Sequence, residues 1–142
     1  MNATVRPAIA SDTHAVLSLA KGFATSFAVD ERAFLRSYEA LLHATDARLL
    51  VAESESDGAV IGYLLGFDHP TFFASGRVAW VEELTVQEAH RRRGHGALLM
   101  RAFEAWARTR GCRLVGLATR RASAFYAAIG YEESAVYFRK RL

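Results

Sequence analysis

The segment from Arg77 to Thr119 constrains the fold most strongly. It opens with RVAWVEELTV, an apolar run of about nine residues rich in β-branched and aromatic side chains, which predicts a strand. From Gly94 to Gly111 the apolar residues recur at helical spacing. Leu99, Phe103 and Trp106 share one side, and Gly111 stands where a C-cap is wanted. RLVGLAT then predicts another strand. Strand, helix and strand in this order form a right-handed crossover whose strands run parallel.

The rest of the chain fits around that unit. TVRPA is a short first strand stopped by Pro7. SDTHAVLSLAKG predicts a helix, with Ser11 or Asp12 as N-cap and Val16, Leu17 and Leu19 as its apolar stripe. A second helix runs from about Asp30 to His43, with Phe34, Leu35, Tyr38, Leu41 and Leu42 at helical spacing. RLLVAE and AVIGYLLGF flank SESDG, which is hairpin punctuation. DHPTFFASG is expected as a loop, SAFYAAIG as a short helix, and YEESAVYFRKRL as a terminal strand. The resulting order is β, α, α, β, β, β, α, β, α, β, a mixed sheet with helices on its faces in the α/β or α+β class. No repeat, linker or low-complexity tract divides residues 1–142, which are expected to form one domain.

Apolar residues make up 51% of the chain, enough for a full core. Cys112 is the one cysteine, which excludes an intrachain disulfide and suits a reducing compartment. The start of the chain lacks a signal-peptide pattern, and no uncharged apolar run approaches membrane-spanning length. A soluble, cytoplasmic protein with no membrane partner is the expectation. The net charge of +3 is small, and the arginines cluster at 91–93, 120–121 and 139–141. Local anion binding explains such clusters as well as nucleic acid does, a solvated surface explains the C-terminal cluster at least as well, and no recognition helix or RNA-stacking motif is present. The five histidines show no metal-ligand spacing, so no metal is expected.

RRRGHG, Arg91 to Gly96, falls where the strand passes into the helix. A helix N-terminus exposes unpaired N–H groups and a partial positive charge, and glycines there let an anion approach the main chain. The amides around Arg93 to Ala97 are therefore candidates to cradle a phosphate or pyrophosphate. A solvated turn with glycines merely permitting it explains the local sequence equally well. The phosphate loop of nucleotide triphosphatases requires a lysine that is missing, and the dinucleotide fingerprint requires a small residue where Leu99 stands.

Arg91-Arg92-Arg93-Gly94-His95-Gly96 matches the Arg/Gln-x-x-Gly-x-Gly/Ala signature of the GNAT superfamily of acetyl-CoA-dependent N-acetyltransferases. VEELTVQEAH resembles that family's fourth strand, and AFYAAIGY its later Phe-Tyr-x-x-x-Gly-Phe element, with Tyr131 for the usual Phe. VRPAIASDTHAVLSL resembles its first strand and helix, so the likeness covers nearly the whole chain. It implies a splayed mixed sheet of about six to seven strands with about four helices on its faces. It also implies that Leu84, Thr85 and Val86 offer main-chain groups to the pantetheine arm of acetyl-CoA. The pyrophosphate would lie on the N–H groups from Arg92 to Ala97, with Arg91 or Arg92 reaching the 3′-phosphate. His95, at a variable position of the signature, is expected to face solvent. Many members carry an asparagine where this chain has Thr119. Only twelve residues follow Gly130, so the last two strands of the usual fold are expected to be shortened or merged.

Acetyl transfer needs a neutral amine, and an alkylammonium of pKa about 10.4 is neutral in roughly one molecule of 2,500 at pH 7. A base, direct or through water, is therefore useful. The resemblance points to Glu82, and strand alternation sets Glu82 on one face with Leu84 and Val86 and Glu83 on the other. Glu83 remains an alternative, and both carboxylates could instead attract a cationic acceptor or pair with arginine. Tyr126 matches the tyrosine that protonates the leaving thiolate in many members; the alternative is a core aromatic. Cys112, after a helix C-terminus, lacks the setting of a nucleophile. The resemblance implies an acceptor site lined by GFATSFAVD and DHPTFFASG, where Phe23, Phe27, Phe72 and Phe73 either form an apolar wall or pack into the core. Asp30, Glu31, Asp68, Glu82 and Glu83 would favour a cation there. A small amine, an aminoglycoside-like drug, an amino acid or a peptide terminus all fit as the acceptor. A non-catalytic acyl-CoA sensor or accessory module of the same fold is the competing reading. Members of the family are often dimers; no segment decides between a monomer and a homodimer here.

Overall fold

The computed structural model describes residues 2–24 and 26–142. Its strands are β1 (Ala3–Pro7), β2 (Ala47–Ser54), β3 (Val60–Thr71), β4 (Gly76–Val86) and β5 (Cys112–Leu117). Its helices are α1 (Thr13–Phe23), α2 (Glu31–His43), α3 (His95–Thr109) and α4 (Ser123–Ala128). The sheet order is β1-β2-β3-β4-β5. The first four strands pair antiparallel, and β5 joins β4 in parallel after α3, as the crossover requires.

Alternation along β2 divides the core in two. Leu50 and Ala52 join Ile61, Leu64, Ala79 and Val81 beneath Leu99, Met100, Phe103 and Ala107 of α3. Leu49 and Val51 point the other way and join Tyr63 and Leu65 beneath Val16 and Ala20 of α1 and Tyr38 of α2. Successive strand residues face opposite sides, so one strand serves both layers. Asp30 caps α2 by accepting from the main-chain N–H of Ala33 at 2.8 Å. Gly111, with φ +77°, turns the chain out of α3 into β5.

Two expectations are corrected. DHPTFFASG is mostly strand, since β3 runs to Thr71 and pairs with β4 as far as Thr71↔Gly76. Only the tip is loop, and there Phe72 and Phe73 are exposed. The terminal strand is absent, so among the described residues the sheet has five strands rather than six to seven. Residues 131–142 take no regular structure, and their ends bond elsewhere. Arg141 donates to the carbonyl oxygen of Ser26 at 2.9 Å and lies 4.9 Å over the ring of Phe27. Arg139 donates to the Ser26 hydroxyl at 3.2 Å. The tail thus crosses to the segment between α1 and α2 instead of adding to the sheet. Among the described residues no helix is long and apolar enough to cross a membrane.

Candidate active site

The site begins where β4 and β5 part. Their pairing runs from Arg77↔Cys112 to Val81↔Leu117 and stops with the end of β5. β4 continues, held only by β3, through Leu84↔Leu64, Thr85↔Tyr63 and Val86↔Gly62. The other edge of Glu82 to Val86 therefore faces no strand, and edge main-chain groups need a partner. At the same point the register slips. Leu65 opposes Glu83 and Gly66 opposes Val81, which leaves Glu82 as the extra residue of a β-bulge. Gly66 makes room across from it, because a Cβ there would run into the ring of Phe103 and lie 2.9 Å from the Trp80 carbonyl oxygen.

The bulge overturns the expected separation of the two glutamates. Glu82 and Glu83 both line one cleft, beside Tyr63 and Leu65 of the α1/α2 side. Leu84 and Val86 pack toward the α3 core. Strand alternation fails here because the extra residue resets the count by one. Each carboxylate is held by an aromatic donor. Trp80 Nε1–H donates to Glu82 at 2.7 Å, and the Tyr63 hydroxyl donates to Glu83 at 2.7 Å. Tyr63 is 1% exposed; its burial, and then the charge of Glu83, push its phenol pKa up, so it stays a donor.

The RRRGHG loop builds an amide cradle ahead of α3. Gly94 holds the N-cap in the left-handed region at φ +85°, where no atom would meet an added Cβ. Leu98 is the first residue of the helix to donate to a turn carbonyl, that of Gly94 at 3.0 Å. The N–H groups of His95, Gly96 and Ala97 precede it and point out of the helix start. Gly96 serves a different end, since an added Cβ would sit 3.2 Å from the Phe125 ring of α4. Arg91, Arg92 and Arg93 are exposed around the cradle. Arg91 uses its Nε to cap the Val86 carbonyl at 2.9 Å, tying the loop to the end of β4. Arg92 also adopts a left-handed φ of +62°. His95 is corrected from solvent-facing to buried, at 4% exposed. It lies one helical turn before Leu99 and so shares the core-facing stripe. Burial, then His90 and Arg93, lower its pKa and keep the imidazole neutral.

Tyr126 lines the same cleft as the glutamates. Its ring meets Phe125 at 4.9 Å and Tyr131 at 5.9 Å, both edge-on. Burial raises its pKa, so the phenol is protonated at neutral pH. Thr119 also lines the cleft, with its hydroxyl oxygen accepting from the Ala122 N–H at 3.1 Å just ahead of α4. Its own O–H remains able to donate.

The cleft encloses ≈1060 Å³ between the α1–α2 segment and the parted strands. Of the residues expected in the acceptor wall, Phe23, Phe27 and Asp30 line it, and Thr25 of that segment lies outside the described residues. Phe72 and Phe73 do not line it; they sit at the far tip of the β3–β4 hairpin. Glu31 is exposed at the start of α2 and is not part of the lining. Asp68 is buried elsewhere, paired with Arg77 at 2.7 Å and with Arg110 at 2.9 Å. Cys112 packs beside it, its thiol 3.8 Å from the carboxylate and its pKa raised by burial and then by Asp68. Sequence reading missed Tyr63, Trp80, Arg120, Arg121 and Arg139, which touch the glutamates or line the cleft. Two signals were present: alternation with Leu65 sets Tyr63 on the α1/α2 face, and the arginine clusters at 120–121 and 139–141 suit local anion binding without saying where.

The site thus combines a β4 that parts from β5, an amide cradle before α3 and a tyrosine on α4. The family described as Acetyltransferase (GNAT) matches residues 14–131, and the chain belongs to that family. Among solved structures, glucosamine-6-phosphate N-acetyltransferase from Arabidopsis thaliana is 19% identical over 99% of both chains, with a TM-score of 0.86. AAC(6')-Iy, in complex with a bisubstrate analog, CoA-S-monomethyl-acetylneamine, is 23% identical over 100% of both chains, with a TM-score of 0.83. The aminoglycoside antibiotic 6'-N-acetyltransferase AAC(6')-IG from Acinetobacter haemolyticus is 25% identical, covering 100% of this chain and 99% of its own, with a TM-score of 0.79. Among curated proteins none matched the sequence.

Proposed function

We propose that the chain moves the acetyl group of acetyl-CoA directly to a primary amine, within a ternary complex. The observation that carries this reading is the juxtaposition at one cleft of two held carboxylates, a protonated tyrosine and an unpaired strand edge. The residues present fit the cosubstrate. The cradle amides of His95, Gly96 and Ala97 suit its pyrophosphate. The edge of Leu84 to Val86 that faces away from β3 supplies donors and acceptors for the pantetheine amides, apart from the Val86 carbonyl that Arg91 caps. Among the described residues the side chains of Arg92 and Arg93 make no hydrogen bond or ion pair and suit the 3′-phosphate, while Arg91 is partly committed to Val86.

Bound acetyl-CoA supplies a thioester, whose C–S bond breaks as the C–N bond of the amide forms. Glu82 takes the proton of the incoming ammonium, directly or through water, since it is the more exposed of the pair. Glu83, held by Tyr63, adds negative charge that draws the ammonium in. Tyr126 gives its proton to the departing thiolate and recovers one from solvent. The second proton of the amine nitrogen leaves to solvent, replacing the one Tyr126 recovers, and Glu82 then releases its own, so the products are an amide, the free thiol and one proton.

Thermal unfolding with acetyl-CoA tests this directly, with ATP and a short DNA duplex as controls. Cosubstrate at about 100 times its Kd should add roughly 2.7 kcal/mol. For a domain of this size that is a rise in Tm of several degrees. No rise with acetyl-CoA would remove the basis of the proposal.

A further inference from the structure

The charges of the cleft carry more information than its shape. Its lining holds three carboxylates, Asp30, Glu82 and Glu83, and three guanidiniums, Arg120, Arg121 and Arg139. Among the described residues none of the six pairs with another. The carboxylates already accept bonds from Ala33 N–H, Trp80 and Tyr63. The three arginines have no counter-ion among the described residues. Arg139 donates only to the Ser26 hydroxyl, at 3.2 Å. Arg139 lines this cleft, and no residue of the loop from Arg91 to Ala97 does. Arg139 reaches the cleft because Arg141 clamps the tail to Ser26 and Phe27.

Resting on the acetyl-transfer reading, we propose that the acceptor is an amine that also carries an oxyanion group, carboxylate or phosphate, and that Arg139 binds that group. The amine lies toward Glu82 and Glu83, and the anion lies toward the tail. A guanidinium fork matches both oxyanions. A polycation such as an aminoglycoside meets three unpaired arginines in the same cleft and is disfavoured by like charge.

The test compares kcat/KM for 4-aminobutyrate, 3-aminopropyl phosphate and butylamine, in the wild type, Arg139→Ala, Arg139→Lys and Ser26→Ala. In the wild type at least one anionic amine should exceed butylamine by 10-fold or more, and which one does so separates carboxylate from phosphate. Arg139→Ala should collapse that ratio toward one, and Arg139→Lys should restore part of it. Ser26→Ala, which removes an anchor but keeps the charge, should retain most of the preference. The ratio is internal to each variant, so a partly unfolded sample does not mimic the result. A wild-type preference for butylamine, or an unchanged ratio in Arg139→Ala, would overturn the inference. Failure of all three amines together with no thermal shift by acetyl-CoA would instead overturn the acetyl-transfer reading beneath it.

Discussion

Tyr63 of β3 donates its hydroxyl to Glu83 of β4 across 2.7 Å, and it does so beside a bulge that brings Glu82 to the same cleft. The two neighbouring carboxylates therefore differ in freedom. Glu83 is tethered to a buried phenol, and Glu82 is exposed and held by Trp80. Glu82→Gln is expected to lower kcat by about 10²–10⁴-fold, the range of a lost general base. Glu83→Gln should lower it less and should raise KM for the amine. Steady-state kinetics on both variants checks the assignment, and the reverse order would transfer the base role to Glu83.

Tyr126→Phe removes the proton donor and keeps the ring packing against Phe125 and Tyr131. A fall in kcat of roughly 10²-fold is expected. Acetyl-CoA affinity, read by calorimetry, should hold. Burial raises the phenol pKa above its ordinary value near 10, so the acid form persists up to and beyond that pH. The wild-type rate should accordingly show no loss from this group below about pH 10.

His95 gives the loop an acid sensitivity. Its folded pKa is lowered by burial, then by His90 and Arg93, so protonation is resisted in the folded state. The stability tied to this group is complete above the ordinary histidine value, near 6.5, and is lost as pH falls through the lower folded value. Urea midpoints at pH 7.5 and pH 5.5 should separate more for the wild type than for His95→Gln. Equal separations would contradict a buried neutral imidazole.

Asp68 is expected to matter for stability and not for turnover. Burial would push its pKa up, but the guanidiniums of Arg110 and Arg77 outweigh it and hold the carboxyl at about 2. The depressed value contributes stability above the unfolded value near 4, worth about 2 kcal/mol, which is lost as pH falls from 4 to 2. Asp68→Asn should cost about 3 kcal/mol at neutral pH, because two cations lose their partner. Chemical unfolding would show this, with kcat for the folded fraction unchanged.

Much of this was legible in the sequence. The periodicity of α2 and α3, the hairpin at SESDG and the crossover from β4 to β5 follow from local pattern, and local pattern is what these elements depend on. RRRGHG announced its loop because glycine at φ +85° and a helix start leave few alternatives. The facing of Glu82 and Glu83 was not legible. A bulge is set by how β3 and β4 register across the sheet, and the space for it comes from Gly66 over Phe103. The terminal strand failed for a related reason. YEESAVYFRKRL has a strand-like composition, yet its arginines find Ser26 and Phe27 instead of an edge of the sheet. Residues far apart in the chain made that choice, as they did for Arg139 in the cleft.

The most direct test is release of free thiol from acetyl-CoA by the purified protein, with and without an amine, alongside mass detection of the acetylated product. The account predicts thiol release that depends on the amine, matches the amide formed one for one, and falls by about 10²-fold or more in Glu82→Gln. Amine-independent release, or release unaffected by both Glu82→Gln and Tyr126→Phe, would contradict it.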